Sequence, residues 1–174
     1  YMVNLGTLLL QLGRLEESEQ VLLESVECRK AFYGEEHAGY GFGLEPFAEV
    51  LLKKRNLEKA LEVTEACVAN FWANGHERLA SALALSEHIA QIMRAPGPVA
   101  ELLPTLPDPL VVNLAGYVLG RLQSARPKIG RGLVLRLLPL FVKRLGRGDP
   151  AVAQLLIGLS HRERALGDFQ GQAE

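Results

Sequence analysis

Apolar and small residues recur along this chain with a step of 42 positions, and that recurrence predicts pairs of antiparallel helices. Laid on itself at this step, the run from Leu5 to Ser18 falls on the run from Phe47 to Ala60. Gly6 and Ala48 are small where the helices of a pair must approach, and Ser18 with Ala60, then Ser25 with Cys67, are small on the second helix. Leu9 and Leu51 fill the space between, while Leu15 and Leu57 open the second helix after a short polar turn. The pattern therefore specifies both where backbones meet and what fills the gap.

A third copy begins with Ile89-Ala90 and Met93 in the slots of Leu5-Gly6 and Leu9. Its second helix is curtailed, because Pro96, Pro98, Pro104 and Pro107 cannot donate to a helix interior and leave room only for a short helix around 99–103. Asp108-Pro109 then starts another helix with a capping residue and a first-turn proline. Val112-Asn113-Leu114-Ala115 echoes Val3-Asn4-Leu5-Gly6, an apolar segment follows from Pro127 to Leu145, and Asp149-Pro150 opens a further helix. Pro139 implies a kink in the 127–145 segment, whose nearly all-round apolar character predicts cover on several sides, or else a self-association or membrane-facing surface. Leu166-Gly167-Asp168-Phe169 resembles the turn Leu12-Gly13-Arg14-Leu15, so the expected organisation is repeats over 1–107 and a helical continuation over 108–174, within a longer array.

Composition agrees with an all-α chain: 48% hydrophobic and only 6% aromatic residues, rich in Leu, Ala and Glu, which lose little rotamer freedom in helices. Cys28 and Cys67 lack disulfide-framework or metal-ligand spacing, and buried free thiols in a reducing compartment are expected. No apolar run reaches the roughly 18–20 residues that span a bilayer, and Tyr1-Met2-Val3-Asn4 lacks a signal peptide's pattern, so the chain is expected to be soluble and cytoplasmic. The net charge of −1 hides an asymmetry: residues 1–95 hold 14 acidic and 9 basic side chains, residues 96–174 hold 6 and 10. Between Asp108 and Asp149 lie eight Lys or Arg and no carboxylate.

The 42-residue step, with Gly34-Glu35-Glu36-His37 ahead of the next helix, resembles the tetratricopeptide repeat family in its kinesin-light-chain style over residues 1–95. Leu22 and Thr64 stand at the family's aromatic packing position, and Leu15 and Leu57 replace a common tyrosine. The resemblance implies an α-α superhelix whose first helices line a concave groove that holds an extended peptide. Carried over, the groove positions are Val3, Thr7, Leu10 and Gln11, then Phe42, Glu45, Glu49, Leu52 and Lys53, then Ala84, Glu87, Gln91 and Arg94. Spacing adds its own argument: Glu45, Glu49 and Lys53 stand at i, i+4 and i+8 and share one helix face, which Glu87 and Gln91 repeat. Such carboxylates favour a partner bearing Lys or Arg, although the same residues also fit a solvated face with weak intrahelical pairs.

Chemistry finds little support. His37 and His76 precede helices as helix-start residues, His88 and His161 lie within helices, and none has metal-site spacing. Gly39-Tyr40-Gly41-Phe42-Gly43 follows no strand and lacks the Lys-Ser/Thr of a phosphate loop, so these glycines are expected to delay or fray the helix start. Ser81, Ser86 and Ser160 have no nucleophile motif around them. Phe71 and Trp72 are expected to cover the joint between repeats. The expectation is a protein-interaction scaffold, not an enzyme, with no cofactor or metal. A second reading takes Arg121, Arg126, Lys128, Arg131, Arg136, Lys143, Arg144 and Arg147 as a surface for an acidic protein or nucleic acid, the latter disfavoured because only Tyr117 and Phe141 could stack on bases. A third takes the chain as a regulatory or self-associating segment of a larger enzyme.

Overall fold

The computed structural model describes residues 1–124 and 127–171, and the side chains among them outside 121–130, 162, 163 and 165–171. The described residues are all-helical and contain no strand. Their contacts form two units, Tyr1–Ile89 and Ala90–Glu174, which divide within one helix.

In the first unit, α1 (Met2–Gln11), α2 (Leu15–Tyr33), α3 (Ala38–Lys53) and α4 (Leu57–Ala73) follow one another, and α5 (Leu79–Met93) begins. Each of the first four packs on its neighbour in sequence, and α1 also packs on α3. The two repeat copies close alike. At the end of α1, Gly13 N–H donates to the Leu10 carbonyl (3.2 Å) and Arg14 N–H to that of Leu9 (2.9 Å). At the end of α3, Arg55 donates to Leu52 (3.1 Å) and Asn56 to Leu51 (3.0 Å). Both closures need a left-handed residue, with φ 76° at Gly13 and 66° at Arg55. Arginine is strained there by its Cβ, so Arg55→Gly should raise stability by about 1 kcal/mol, read as a higher urea midpoint; an unchanged midpoint would count against this geometry. The third copy closes at Arg94 (φ 58°), where a strict 42-residue step from Arg55 would reach Gly97.

Small residues sit where the pattern requires them. Gly6, Ser18, Ser25, Ala48, Ala60 and Cys67 are all buried, as are Leu9 and Leu51. Ser18 Oγ donates to the Gly6 carbonyl at 2.7 Å, joining α2 to α1, and a Cβ on Gly6 would lie 2.4 Å from Leu22 Cγ. Leu22 and Thr64 are both fully buried at the equivalent slot; the threonine hydroxyl is satisfied by the Ala60 carbonyl at 2.6 Å.

The glycine tract corrects the expectation of a frayed helix start. Helix α3 begins at Ala38 and runs through Gly39, Gly41 and Gly43, all buried, with the His37 ring accepting from Gly39 N–H at 2.9 Å as N-cap. A Cβ on Gly41 would lie 2.5 Å from Asn70 Oδ1 and 2.7 Å from Phe71 Cε1, and one on Gly43 would meet Arg29 and Val26. These glycines let α3 press against α4 on one side and α2 on the other. The α2 side of α3 is marked by Gly43 near its start and by Lys54 just past its end, where the ammonium pairs with Glu19 at 2.6 Å. Phe47 and Val50 lie on the same helical face and are 3% and 0% exposed. Their counterparts on α1, Leu5 and Leu8, are 41% and 51% exposed.

The second unit holds α6 (Val99–Leu102), a 3-10 turn (Leu103–Thr105), α7 (Asp108–Ser124), α8 (Pro127–Leu145) and α9 (Pro150–Gly171). Helices α7, α8 and α9 all pack against one another, and the proline-limited α6 and 3-10 turn dock on α8. Two expectations are corrected here. Helix α8 buries Leu133, Val134, Leu137 and Phe141 along one stripe while Leu135 is exposed, so it is amphipathic and not covered all round. The turn expected over 166–169 is continuous α9 backbone, because one glycine costs a helix only about 1 kcal/mol without a proline beside it.

Candidate functional site

Helices α1 and α3 carry most of the sequence-derived groove positions in a partly accessible row. Val3, Thr7 and Leu10 are half-buried and Gln11 is exposed; the Thr7 hydroxyl donates back to the Val3 carbonyl at 2.8 Å. On α3, Phe42, Glu45, Glu49 and Leu52 are half-buried and Lys53 is exposed. The α5 row differs. Ala84 and Glu87 are buried, Glu87 to 1% exposure, so the third carboxylate is not offered to solvent. Gln91 is half-buried with its Oε1 3.5 Å from Arg136 Nη1, and Arg94 is exposed just past the helix end.

Around Glu45 the structure assembles a cluster that the sequence does not announce. Its Oε1 accepts a short hydrogen bond from the Ser81 hydroxyl, and its Oε2 stands 3.4 Å from Arg78 Nη1. The Arg78 guanidinium lies over the Phe42 ring, 5.2 Å from its centroid. Phe42 in turn meets His76 edge-on at 5.0 Å and Phe71 at 5.7 Å, while His76 stacks on Phe71 at 5.1 Å. Arg78 N–H donates to His76 Nδ1 at 3.1 Å, which makes His76 a helix-start residue as its position suggested. Asn70 on α4 and Asn74 just past its end fix the loop ahead of α3: Asn70 Nδ2 donates to the carbonyls of Glu35 (2.7 Å) and His37 (3.1 Å), and Asn74 Nδ2 to that of Glu36 (2.8 Å). Arg78 and Ser81 are 33 and 36 positions from Glu45. The only local signal was their i, i+3 spacing at the start of α5.

Beneath the cluster, Cys67 is buried with Sγ 3.6 Å from the Gly41 carbonyl. Burial pushes its thiol well up, Glu45's charge adds to that, and Arg78 opposes it, so it is an inert core group. Cys28 is exposed, which corrects the expectation that both thiols are buried. The aromatic pair also divides: Phe71 is fully buried, whereas Trp72 is 43% exposed.

In the second unit, part of the basic stretch serves the fold. Arg144 pairs with Asp108 at 2.6 Å and donates to the Leu106 carbonyl at 3.2 Å, and Arg136 donates to the Ala95 carbonyl at 3.1 Å. Arg131, Lys143 and Arg147 are exposed, and the side chains of Arg121, Arg126 and Lys128 lie outside the described residues. Tyr117 is 46% exposed and Phe141 is buried, so these two do not form a stacking pair. Among the described residues, no group of three or more His, Cys, Asp or Glu is arranged to hold a metal ion, and no helix is long and apolar enough to cross a membrane. No protein-family model matches the chain, and no curated protein matches it in sequence.

Proposed function

We propose that this chain is a non-enzymatic protein-interaction scaffold, a short run of tetratricopeptide-like superhelix whose first helices receive a peptide segment bearing Arg or Lys. The observation that carries the reading is the partly accessible face of α3, where Glu45, Glu49 and Lys53 follow at i, i+4 and i+8, on a helix that packs against α1 with its half-buried Thr7 and Leu10. The excess of carboxylates over residues 1–95 supports a basic partner by steering it toward this half. Free cysteines suit a reducing compartment, and we place the protein in the cytoplasm.

An array of random peptides should be enriched for basic sequences by the wild-type protein, and the selected peptides should bind a Glu45→Gln/Glu49→Gln variant at least about tenfold more weakly, or 1.4 kcal/mol. Selected peptides that bind the variant as tightly as the wild type would place the interaction elsewhere. Enrichment of acidic peptides would oppose the reading altogether.

A further inference from the structure

We infer that Phe42, Glu45 and Ser81 form a binding pocket for a guanidinium group, and that Arg78 is an internal occupant which an arginine of the partner displaces. This rests on the scaffold reading for its biological use, but the pocket itself stands on geometry.

Three groups converge on one position: a carboxylate, an aromatic face and a hydroxyl that holds the carboxylate in place. Glu45 is the fixed part. Its side chain is only 12% exposed and Ser81, itself buried, donates to one oxygen, leaving the second oxygen directed at the guanidinium. Phe42 is fixed as well, braced by Phe71 and His76 on its other sides. A planar guanidinium satisfies both faces of such a pocket, because it stacks on a ring while its N–H groups meet a carboxylate; an ammonium does one or the other less well.

The occupant, by contrast, is loosely held. Arg78 is 47% exposed, and its 3.4 Å approach to Glu45 exceeds the roughly 2.7–2.9 Å of a charge-assisted hydrogen bond. It also immediately precedes α5, at the positive end of the helix dipole, where a cation is disfavoured. A well-ordered pocket with an exposed occupant at long range favours exchange: an incoming arginine free to adjust its approach gains a shorter bond to Glu45 than Arg78 makes. Arg78 thereby sets a threshold for binding, since any ligand sees only the fraction of molecules in which the pocket is vacated.

The test uses ethylguanidinium as the probe, followed by amide chemical shifts in the full chain. Arg78→Ala should bind it at least about tenfold more tightly than the wild type, the gain expected if Arg78 fills the pocket about nine-tenths of the time. Ethylammonium should show a smaller gain, and Glu45→Gln/Arg78→Ala should lose it. Arg78→Gln serves where the alanine variant is not folded by circular dichroism, with the same gain expected. Equal binding to wild type and both Arg78 variants, or a gain that persists without Glu45, overturns the inference. A guanidinium site with no enrichment of basic peptides would leave the pocket and remove the scaffold reading, whereas basic-peptide binding insensitive to Arg78 would do the reverse.

Discussion

Gly41→Ala is expected to destabilise the protein by about 1–3 kcal/mol, against the usual sign for this substitution inside a helix. Helix propensity alone favours alanine by about 1 kcal/mol. The added Cβ, however, would stand 2.5 Å from Asn70 Oδ1 and 2.7 Å from Phe71 Cε1. Neither neighbour can step aside cheaply: Phe71 is fully buried, and Asn70 is held by its bonds to the carbonyls of Glu35 and His37. Overpacking thus outweighs propensity. Gly116, in α7, supplies the opposite control, because a Cβ there meets nothing within 4 Å and alanine should add about 0.5–1 kcal/mol. Urea unfolding of the two variants reads both signs. A Gly41→Ala protein as stable as the wild type would refute the close approach of α3 to α4.

An equally large contrast is expected between two positions one repeat apart. Phe47→Ala should cost about 3–5 kcal/mol, because Phe47 is 3% exposed on the face of α3 that α2 covers, with Lys59 Nζ 5.7 Å from its ring centroid. At its counterpart Leu5, 41% exposed, the change to alanine should cost less than about 1 kcal/mol. The two slots carry the same pattern and differ in cover. Comparable losses at both sites, measured by the same unfolding experiment, would mean that α1 buries a face that the structure leaves open.

Much of the fold was legible because its determinants are local. Helix starts and stops follow from short-range chemistry: His37 caps α3, Gly13 and Arg55 close the two copies alike, and four prolines reduce the helix after α5 to a single turn of α6 followed by a 3-10 turn. Small residues at Gly6, Ser18, Ala48 and Ala60 marked the crossings correctly, since only small side chains permit that approach. Of the positions carried over from the resemblance, those on α1 and α3 remain partly accessible, whereas on α5 Glu87 is buried, a difference that spacing within one helix does not report.

The 42-residue recurrence of small and apolar positions, the shortened helix among the prolines and the acidic row of α3 were therefore determined by sequence alone, because spacing of 3 to 4 residues reports a helix face and proline acts within one turn. Tertiary structure decided what each face meets. It turned the glycines of α3 from expected looseness into contact points and separated exposed Cys28 from buried Cys67. It also brought Arg78 and Ser81 to Glu45 across more than thirty residues, a distance over which helix periodicity carries no information and only the crossing of α3 with the start of α5 determines the contact.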